Sequence, residues 1–202
     1  MKIIYITGPV GSGKTTLEAN IRYQLDVFGK KGDIVKSDGV TFIGRMTRES
    51  GKIIKFGGLD AYEGNLEEEI NNQYKEGTKY IVFSGKRDLK QMAKGLPYYF
   101  STYIQKRRAS RIHSQRKERR SKKKIYDFEE EMKGINGEVN WAKNELLRWK
   151  RLQKENSCIY TEMLKGSTKE RIQTLLDAID KPMKYNRIIR KLHSERYRKL
   201  AR

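Results

Sequence analysis

The sequence predicts an α/β fold with a parallel sheet that is covered by helices on both faces. Short β-branched, apolar runs alternate with longer amphipathic segments along the chain, which is typical of consecutive strand–helix–strand units. The first run ends in a glycine-rich stretch, and open sheets of this class bind ligands beyond the carboxyl ends of their strands. The length of 202 residues is sufficient for one such domain with a buried core and an insertion.

The first unit consists of a strand, a loop and a helix. Residues 2–7 are apolar and β-branched, as a buried parallel strand requires. Residues 16–28 predict a helix because their apolar side chains fall on one helical face: Leu17, Ile21, Leu25 and Phe28. Between these elements the stretch GPVGSGKT, residues 8–15, matches the phosphate-binding pattern G-x-x-x-x-G-K-[ST].

This loop predicts a site for nucleotide phosphates. Its glycines allow tight turns that direct backbone N–H groups inward, and the N-terminus of the following helix favours an anion. Lys14 is expected to contact the β- and γ-phosphates, and the Thr15 hydroxyl to bind Mg²⁺. The residues expected to bind the nucleotide are Gly8, Val10, Gly11, Ser12, Gly13, Lys14, Thr15 and Thr16.

The remaining elements follow in alternation. Residues 33–37 predict a second strand that ends in Asp38-Gly39, and the glycine-rich residues 40–64 predict an irregular segment. Asn65 is a suitable N-cap for a helix with three glutamates in its first turns. Further strands are expected at residues 80–84, 97–104 and 157–161, and helices at 88–94, 125–155 and 167–179, with Gly134 and Gly137 interrupting the helix at 125–155.

The positive charge is concentrated in the second part of the chain. The formal net charge is +20. Residues 1–80 hold 12 Lys and Arg against 11 Asp and Glu, whereas the rest of the chain holds 33 against 14. Residues 86–124 alone contain fifteen basic residues and two acids. This asymmetry predicts an anionic partner beyond the nucleotide, with nucleic acid as the first candidate and an anionic membrane surface as the second.

Composition also argues against several classes of protein. The chain has no run of eighteen apolar residues, and its N-terminal apolar run is the first strand, so neither a membrane span nor a signal peptide is expected. The single cysteine, Cys158, forms no intrachain disulfide, which is typical of a reducing cytoplasm. We therefore expect a cytoplasmic protein without a membrane partner. The sequence leaves its oligomeric state, monomer or homodimer, open.

These motifs resemble the P-loop nucleoside and nucleotide kinases, the thymidylate-kinase-like group in particular. The likeness covers most of residues 1–180, from the phosphate loop to the closing strand and helix. The run from Asp38 through residues 41–45 (TFIGR) to residues 56–60 (FGGLD) is similar to small phage kinases. Those enzymes act on hydroxymethyluracil in DNA during thymidine hypermodification, so the host cytoplasm would be the location of a phage-encoded member.

The resemblance implies a three-layer P-loop kinase fold whose five-stranded parallel sheet has the order 2-3-1-4-5. It also implies a basic helical lid or insertion at about residues 105–155, a core at 1–180 and a basic tail at 181–202. ATP with Mg²⁺ would be the phosphoryl donor. One position departs from the group, because Ser84 stands where an acid at the end of the third strand usually helps to hold Mg²⁺. Either Asp88 or Asp38 would replace that acid, or the metal would be held more weakly.

Phosphoryl transfer needs a carboxylate to accept the hydroxyl proton and positive charge around the phosphates. Asp38, at the tip of a strand next to the loop, is the first candidate for this base, and its alternative role is an ordinary turn residue. Asp60 is the second candidate, as a base or a substrate contact, with a turn cap as the alternative. Arg45 is expected to steer an acceptor phosphate unless it is simply a solvated arginine. One or two lid arginines are expected to stabilise the transferring phosphoryl group.

The expected residues form three sets. The catalytic set is Lys14, Asp38, Asp60, Arg116 and Arg120. The substrate-binding set is Arg45, Gly58, Asp60, Arg87, Arg107 and Arg111. The metal set is Thr15 and Asp38.

Three functions remain open from the sequence. The first is ATP-dependent phosphoryl transfer to a hydroxyl of a DNA nucleotide, with hydroxymethyluracil in phage DNA as the leading acceptor and DNA as the partner. The second is a kinase of free nucleosides or nucleotides. The third is a nucleic-acid-binding P-loop ATPase that uses ATP as a switch and has no acceptor.

Overall fold

The computed structural model describes residues 1–30, 32–49, 53–106 and 128–189. These residues form seven strands and five α-helices, which alternate except that the second, third and fourth strands follow one another. The strands are β1 (Lys2–Thr7), β2 (Gly32–Ser37), β3 (Val40–Glu49), β4 (Ile53–Gly58), β5 (Tyr80–Gly85), β6 (Tyr99–Gln105) and β7 (Ile159–Leu164). The helices are α1 (Lys14–Gln24), α2 (Leu66–Lys75), α3 (Lys90–Gly95), α4 (Phe128–Glu155) and α5 (Thr168–Asp177), with a 3₁₀ turn at Leu59–Ala61.

All strands belong to one mixed sheet. Six of them lie in the order β2-β3-β5-β1-β6-β7, and β4 pairs with β3 alone. Strands β3, β5, β1, β6 and β7 are mutually parallel, whereas β2 and β4 run antiparallel to β3. The predicted α/β class is therefore confirmed, but the sheet has more strands than predicted and is not wholly parallel. The five parallel strands lie in the order β3-β5-β1-β6-β7. If only these five are numbered along the chain, their order is 2-3-1-4-5.

The second parallel strand is not the one that the sequence predicts. Residues 32–37 form the antiparallel edge strand β2, and the parallel strand is β3, within the segment that was expected to be irregular. Asp38 and Gly39 form the two-residue turn between them, with positive φ of 46° and 75°. An Asp-Gly pair between two β-branched runs favours this kind of hairpin turn. The prediction that residues 33–37 belong to the parallel set is therefore wrong.

Helix α4 also differs from the prediction, because it continues through Gly134 and Gly137. Glycine inside a helix costs about 1 kcal/mol relative to alanine, which the tertiary packing of α4 offsets. Trp149 is fully buried, and its ring stacks on Phe100 of β6 with centroids 5.5 Å apart. No helix in the described ranges is both long and apolar enough to cross a bilayer.

The helices cover both faces of the sheet. On one face, alternate residues of β1, such as Ile3 and Tyr5, pack with α2, α3 and α4. On the other face, Ile4 and Ile6 pack with α1 and α5. Because successive side chains of a strand point to opposite faces, the continuous apolar run of β1 supplies both cores.

The first part of the predicted tail is integrated into this fold. Residues 181–189 lie along α1. Two buried side-chain amides of α1 form hydrogen bonds with the main chain of this segment. Asn20 accepts from Ile189 N–H at 2.6 Å and donates to its carbonyl at 2.9 Å. Gln24 makes the same pair of bonds with Tyr185, at 2.7 and 2.9 Å. Since the later tail residue pairs with the earlier helix residue, this segment runs from the C-terminal end of α1 toward its N-terminal end.

Candidate phosphate-binding site

The loop at residues 8–13 joins the carboxyl end of β1 to the N-terminus of α1. Gly11 and Gly13 have positive φ of 75° and 93°, a region that favours glycine. A Cβ on Gly8 would lie 2.6 Å from the carbonyl oxygen of Gln105, so this position also requires glycine. No side chain in the described part of the chain caps α1. The N-terminal N–H groups of this helix are therefore suited to bind an anion.

Lys14 lies at the start of α1 and is only 8% exposed. It makes no hydrogen bond or ion pair with any residue that the structure describes. Burial lowers the pKa of its ammonium group, and Lys86 lowers this pKa further, whereas Asp60 and Glu138 raise it. The ammonium group is thus available to an anionic ligand, with two carboxylates and a second lysine close to it.

Asp60 lies at the same edge of the sheet. Thr7, the last residue of β1, is in register with Gly85, the last residue of β5. The next N–H along the chain, that of Lys86, donates to Asp60 Oδ1 at 2.8 Å. The structure therefore brings Asp60 and Lys14, two of the predicted catalytic residues, to one site.

Gly58 places Asp60 by backbone packing. It is buried, with φ of 59°. A Cβ on Gly58 would lie 2.3 Å from the Ser84 carbonyl oxygen, and a Cβ on Gly44 would lie 2.7 Å from the Gly58 carbonyl carbon. Strands β3, β4 and β5 thus approach one another too closely for a side chain. This packing gives Gly58 a structural role, and its predicted contact with a substrate stays a prediction.

We expect Gly58→Ala to lower the free energy of unfolding by about 2–4 kcal/mol, from steric overlap and from the positive φ. Urea denaturation will measure the change. Gly77→Ala is the matched control, because Gly77 has φ of 79° and nothing within 4 Å of its added Cβ, so only about 1 kcal/mol of backbone strain is expected. Equal losses in the two variants would show that the close approach to Ser84 has no energetic importance.

A buried carboxylate of α1 interacts with the end of β5, where the resemblance leads one to expect an acid. Ser84 Oγ donates to Glu18 Oε2 at 2.6 Å. Glu18 Oε1 accepts two bonds from Arg22, at 2.7 and 2.9 Å, and both side chains are fully buried. The Arg22 guanidinium also lies over the Phe42 ring, 4.9 Å from its centroid. Glu18 is not among the residues predicted for this site, although an i, i+4 Glu–Arg pair beside the apolar face of α1 was a usable signal.

A second carboxylate that was not predicted for this site belongs to Glu138 of α4. Glu138 Oε2 accepts from the Val10 N–H at 3.2 Å. Both oxygens of Glu138 also lie 3.4 Å from Lys86 Nζ, and this ammonium is 5.0 Å from the Trp141 ring centroid. No local pattern marks Glu138, because its role depends on how α4 packs across the sheet.

Asp38 does not belong to this site. It lies at the amino end of β3, next to Val40, which is in register with Tyr80 at the start of β5. The length of β1, about 20 Å at the usual rise per residue, separates this edge of the sheet from the loop. Asp38 pairs with Lys181, whose hydrogen bond holds the pKa of the Asp38 carboxyl below its usual range. The prediction of Asp38 as general base and metal ligand is therefore wrong.

The other predicted residues have different positions. Arg45 pairs with Asp33 at 3.1 Å and with Glu63 at 2.9 Å, and Arg87 donates to the Tyr62 carbonyl. Both arginines therefore have protein partners, and their contact with a substrate stays a prediction. The predicted lid arginines lie outside the described residues: Arg107, Arg111, Arg116 and Arg120.

Two surface hollows lie away from the loop. One, of about 430 Å³, is lined by residues at the amino ends of β1 and β5, including Lys2, Tyr80 and Lys79. The other, of about 280 Å³, is next to it and includes Asp38. Both hollows lie at the opposite edge of the sheet from Lys14, so neither is part of the candidate phosphate site.

Of the two residues expected to bind a metal, Asp38 lies at the opposite edge of the sheet from Thr15. Within the residues that the structure describes, no group of three or more His, Cys, Asp or Glu side chains is arranged to hold a metal ion. The Thr15 residue is partly exposed at the start of α1, and its contact with Mg²⁺ stays a prediction.

Comparison with known proteins found no matching family model, no matching curated protein and no matching solved structure. The functional assignment of this site therefore depends on its chemistry. That chemistry consists of the N-terminus of α1, the buried ammonium of Lys14, which has no hydrogen-bond or ion-pair partner among the described residues, and the nearby carboxylate of Asp60.

Proposed function

We propose that this protein is an ATP-dependent kinase that transfers the γ-phosphoryl group to a hydroxyl of a DNA nucleotide, with hydroxymethyluracil in phage DNA as the acceptor. The observation that carries the proposal is the buried ammonium of Lys14 at the N-terminus of α1, beside Asp60, with no hydrogen-bond or ion-pair partner in the described part of the chain. The order of the five parallel strands and the helices on both faces support a three-layer P-loop kinase fold, as the resemblance to the thymidylate-kinase-like group implies.

The chemistry assigns a role to each of these residues. The acceptor oxygen forms a bond to the γ-phosphorus while the bond from that phosphorus to the β–γ bridging oxygen breaks, and ADP departs with the electron pair. The hydroxyl proton goes to the Asp60 carboxylate, one oxygen of which accepts from the Lys86 N–H. Lys14 stabilises the phosphate charge. Mg²⁺, when bound, would neutralise phosphate charge further, and Thr15 is the residue that fits it.

A polymeric acceptor explains the distribution of charge. A free nucleotide carries only a few charges, whereas residues 81–202 hold 33 basic and 14 acidic side chains. Two described residues that directly precede strongly basic stretches of sequence, Gln105 and Ile189, are held near the loop edge of the sheet. Gln105, the last residue of β6, donates to the Ser12 carbonyl at 3.0 Å. Ile189 is held by Asn20, which also donates to the Thr16 carbonyl at 2.8 Å.

The proposal is tested with ATP labelled on its γ-phosphate, in the presence of Mg²⁺. Ordinary DNA, hydroxymethyluracil-containing DNA, free nucleosides and free nucleotides are offered as acceptors. We expect label on hydroxymethyluracil DNA only, and binding to DNA that weakens steeply as salt rises. Label on a free nucleotide would instead identify a nucleoside or nucleotide kinase.

A P-loop ATPase switch is the second candidate. The observation that favours it is Ser84, which stands in place of the expected acid and binds the buried Glu18, so that a carboxylate for Mg²⁺ is missing there. This alternative predicts slow release of phosphate to water without a labelled acceptor.

A further inference from the structure

The carboxylate of Glu138 lies where the phosphate loop would hold an anion. It accepts from a main-chain N–H of the loop, that of Val10, at 3.2 Å. Its oxygens are both 3.4 Å from the ammonium of Lys86. A backbone N–H and an ammonium are also the donors that loops of this type present to phosphate oxygens. The carboxylate thus satisfies donors that a bound phosphate group would use.

This contact is not needed to satisfy the loop in the absence of a ligand. Val10 is 53% exposed, so water can reach its surroundings. Lys86 has further interactions, because its ammonium lies over the Trp141 ring and its N–H donates to Asp60. Glu138 itself is only 17% exposed, and its partners lie on different elements, far away along the chain. The arrangement holds one face of α4 against the loop.

We propose that Glu138 is an internal competitor for the phosphate site, and that a nucleotide must displace its carboxylate in order to bind. The inference rests on the proposed binding of nucleotide phosphates at the loop, but not on the identity of the acceptor. A nucleoside triphosphate carries more negative charge than one carboxylate and contacts more of the loop, so it prevails at sufficient concentration. Its apparent affinity is reduced by the fraction of molecules in which Glu138 occupies the loop.

Displacement has a mechanical consequence for α4. When the carboxylate leaves, Lys86 becomes available to the phosphates, and the Glu138 turn of α4 loses its polar contacts with the loop. Binding at the loop is therefore coupled to the position of α4 by a difference in contacts between two states, as any ligand-driven change requires.

The test is binding of a non-hydrolysable ATP analogue with Mg²⁺, measured by calorimetry on the wild-type protein and on Glu138→Gln. The amide has a similar shape but no charge, so we expect the analogue to bind the variant about tenfold more tightly. Glu155→Gln is the matched control. It removes another α4 carboxylate that pairs with a lysine, Lys94, at 3.2 Å, but away from the loop, and it should leave the affinity unchanged.

Hydrogen exchange supplies a second readout that is independent of activity. Amides near Glu138 in α4 should exchange faster in the wild-type protein when the analogue binds. In Glu138→Gln they should exchange faster already in its absence. Glu138→Ala should behave like Glu138→Gln, and thermal unfolding will show whether either variant is folded.

Several results would overturn this inference. Unchanged or weaker binding in Glu138→Gln, while the wild-type protein binds the analogue and transfers phosphate, would reject the competitor and leave the proposed function intact. Unchanged affinity with lost transfer would assign Glu138 to the reaction instead. Absence of analogue binding in both proteins would reject the inference together with the nucleotide site.

Discussion

Replacing Lys14 with alanine is expected to lower the rate of phosphoryl transfer by about 100- to 1,000-fold, the usual effect of removing one donor that stabilises charge in a transition state. Lys14 is only 8% exposed at the start of α1. The nearby Lys86 ammonium interacts with the Glu138 carboxylate, so we expect it to replace Lys14 only in part. Initial rates at saturating labelled ATP will measure the effect. Lys79→Ala is the matched control, because Lys79 lines the hollow at the opposite edge of the sheet and should not affect transfer.

Measurements of the free energy of unfolding should show whether a Lys14 variant loses phosphoryl transfer because it is misfolded. Because burial lowers the pKa of Lys14, the folded protein binds this proton less tightly than the unfolded chain does. The charge on Lys14 therefore destabilises the folded state at neutral pH, and Lys14→Met should raise the free energy of unfolding. The gain should diminish as pH rises through the lowered folded-state pKa, because the wild-type side chain is then neutral. A Lys14 variant that transfers phosphate at the wild-type rate would contradict the assignment of the loop.

Glu18→Ala should have the largest effect on stability, a loss of about 3–5 kcal/mol in the free energy of unfolding, because it leaves a buried arginine without its carboxylate. The same change removes the acceptor of the Ser84 hydroxyl. Urea denaturation will measure the loss. Glu76→Ala is the control, since Glu76 pairs with Lys36 at the surface, where both side chains are about half exposed. A surface pair of this kind is worth less than about 1 kcal/mol.

A double variant at Glu18 and Arg22 distinguishes the free-energy cost of a buried, unpaired charge from the net contribution of the ion pair to stability. Replacing Glu18 and Arg22 together with apolar residues of similar volume should recover much of the lost stability, because neither charge is then buried alone. If Glu18→Ala costs no more than Glu76→Ala, the contact between α1 and the end of β5 is not a major contribution to the fold.

The unit of β1, loop and α1 could be predicted because its signals are contiguous. An apolar run, three glycines and an amphipathic segment follow one another directly, and each element is specified by its own residues. The same local logic identified the capped start of α2, where the Asn65 side chain accepts from two backbone N–H groups. Element type was therefore well determined wherever pattern and packing agreed.

The errors came from contacts that link distant segments. Residues 33–37 have the composition of a parallel strand, and only their pairing with residues 40–46 makes them an antiparallel edge. This moved Asp38 to the opposite side of the sheet from Lys14. Glu18 and Glu138 escaped notice for a related reason, since their partners Ser84 and Val10 are 66 and 128 positions away. No periodicity within a helix encodes such a contact.

The attachment of residues 181–189 to α1 bears on the order in which the molecule is assembled during translation. Asn20 and Gln24 are almost fully buried, and their amides would lack these main-chain partners, at an energetic cost, until Tyr185 and Ile189 have left the ribosome. Strand β1 also gains its neighbours late, because it lies between β5 and β6 in the sheet and both are synthesised after it. Although the ribosome makes the loop at residues 8–13 first, the helix that follows it is fully supported only after residue 189. Prematurely terminated chains would therefore lack a stably held loop and α1.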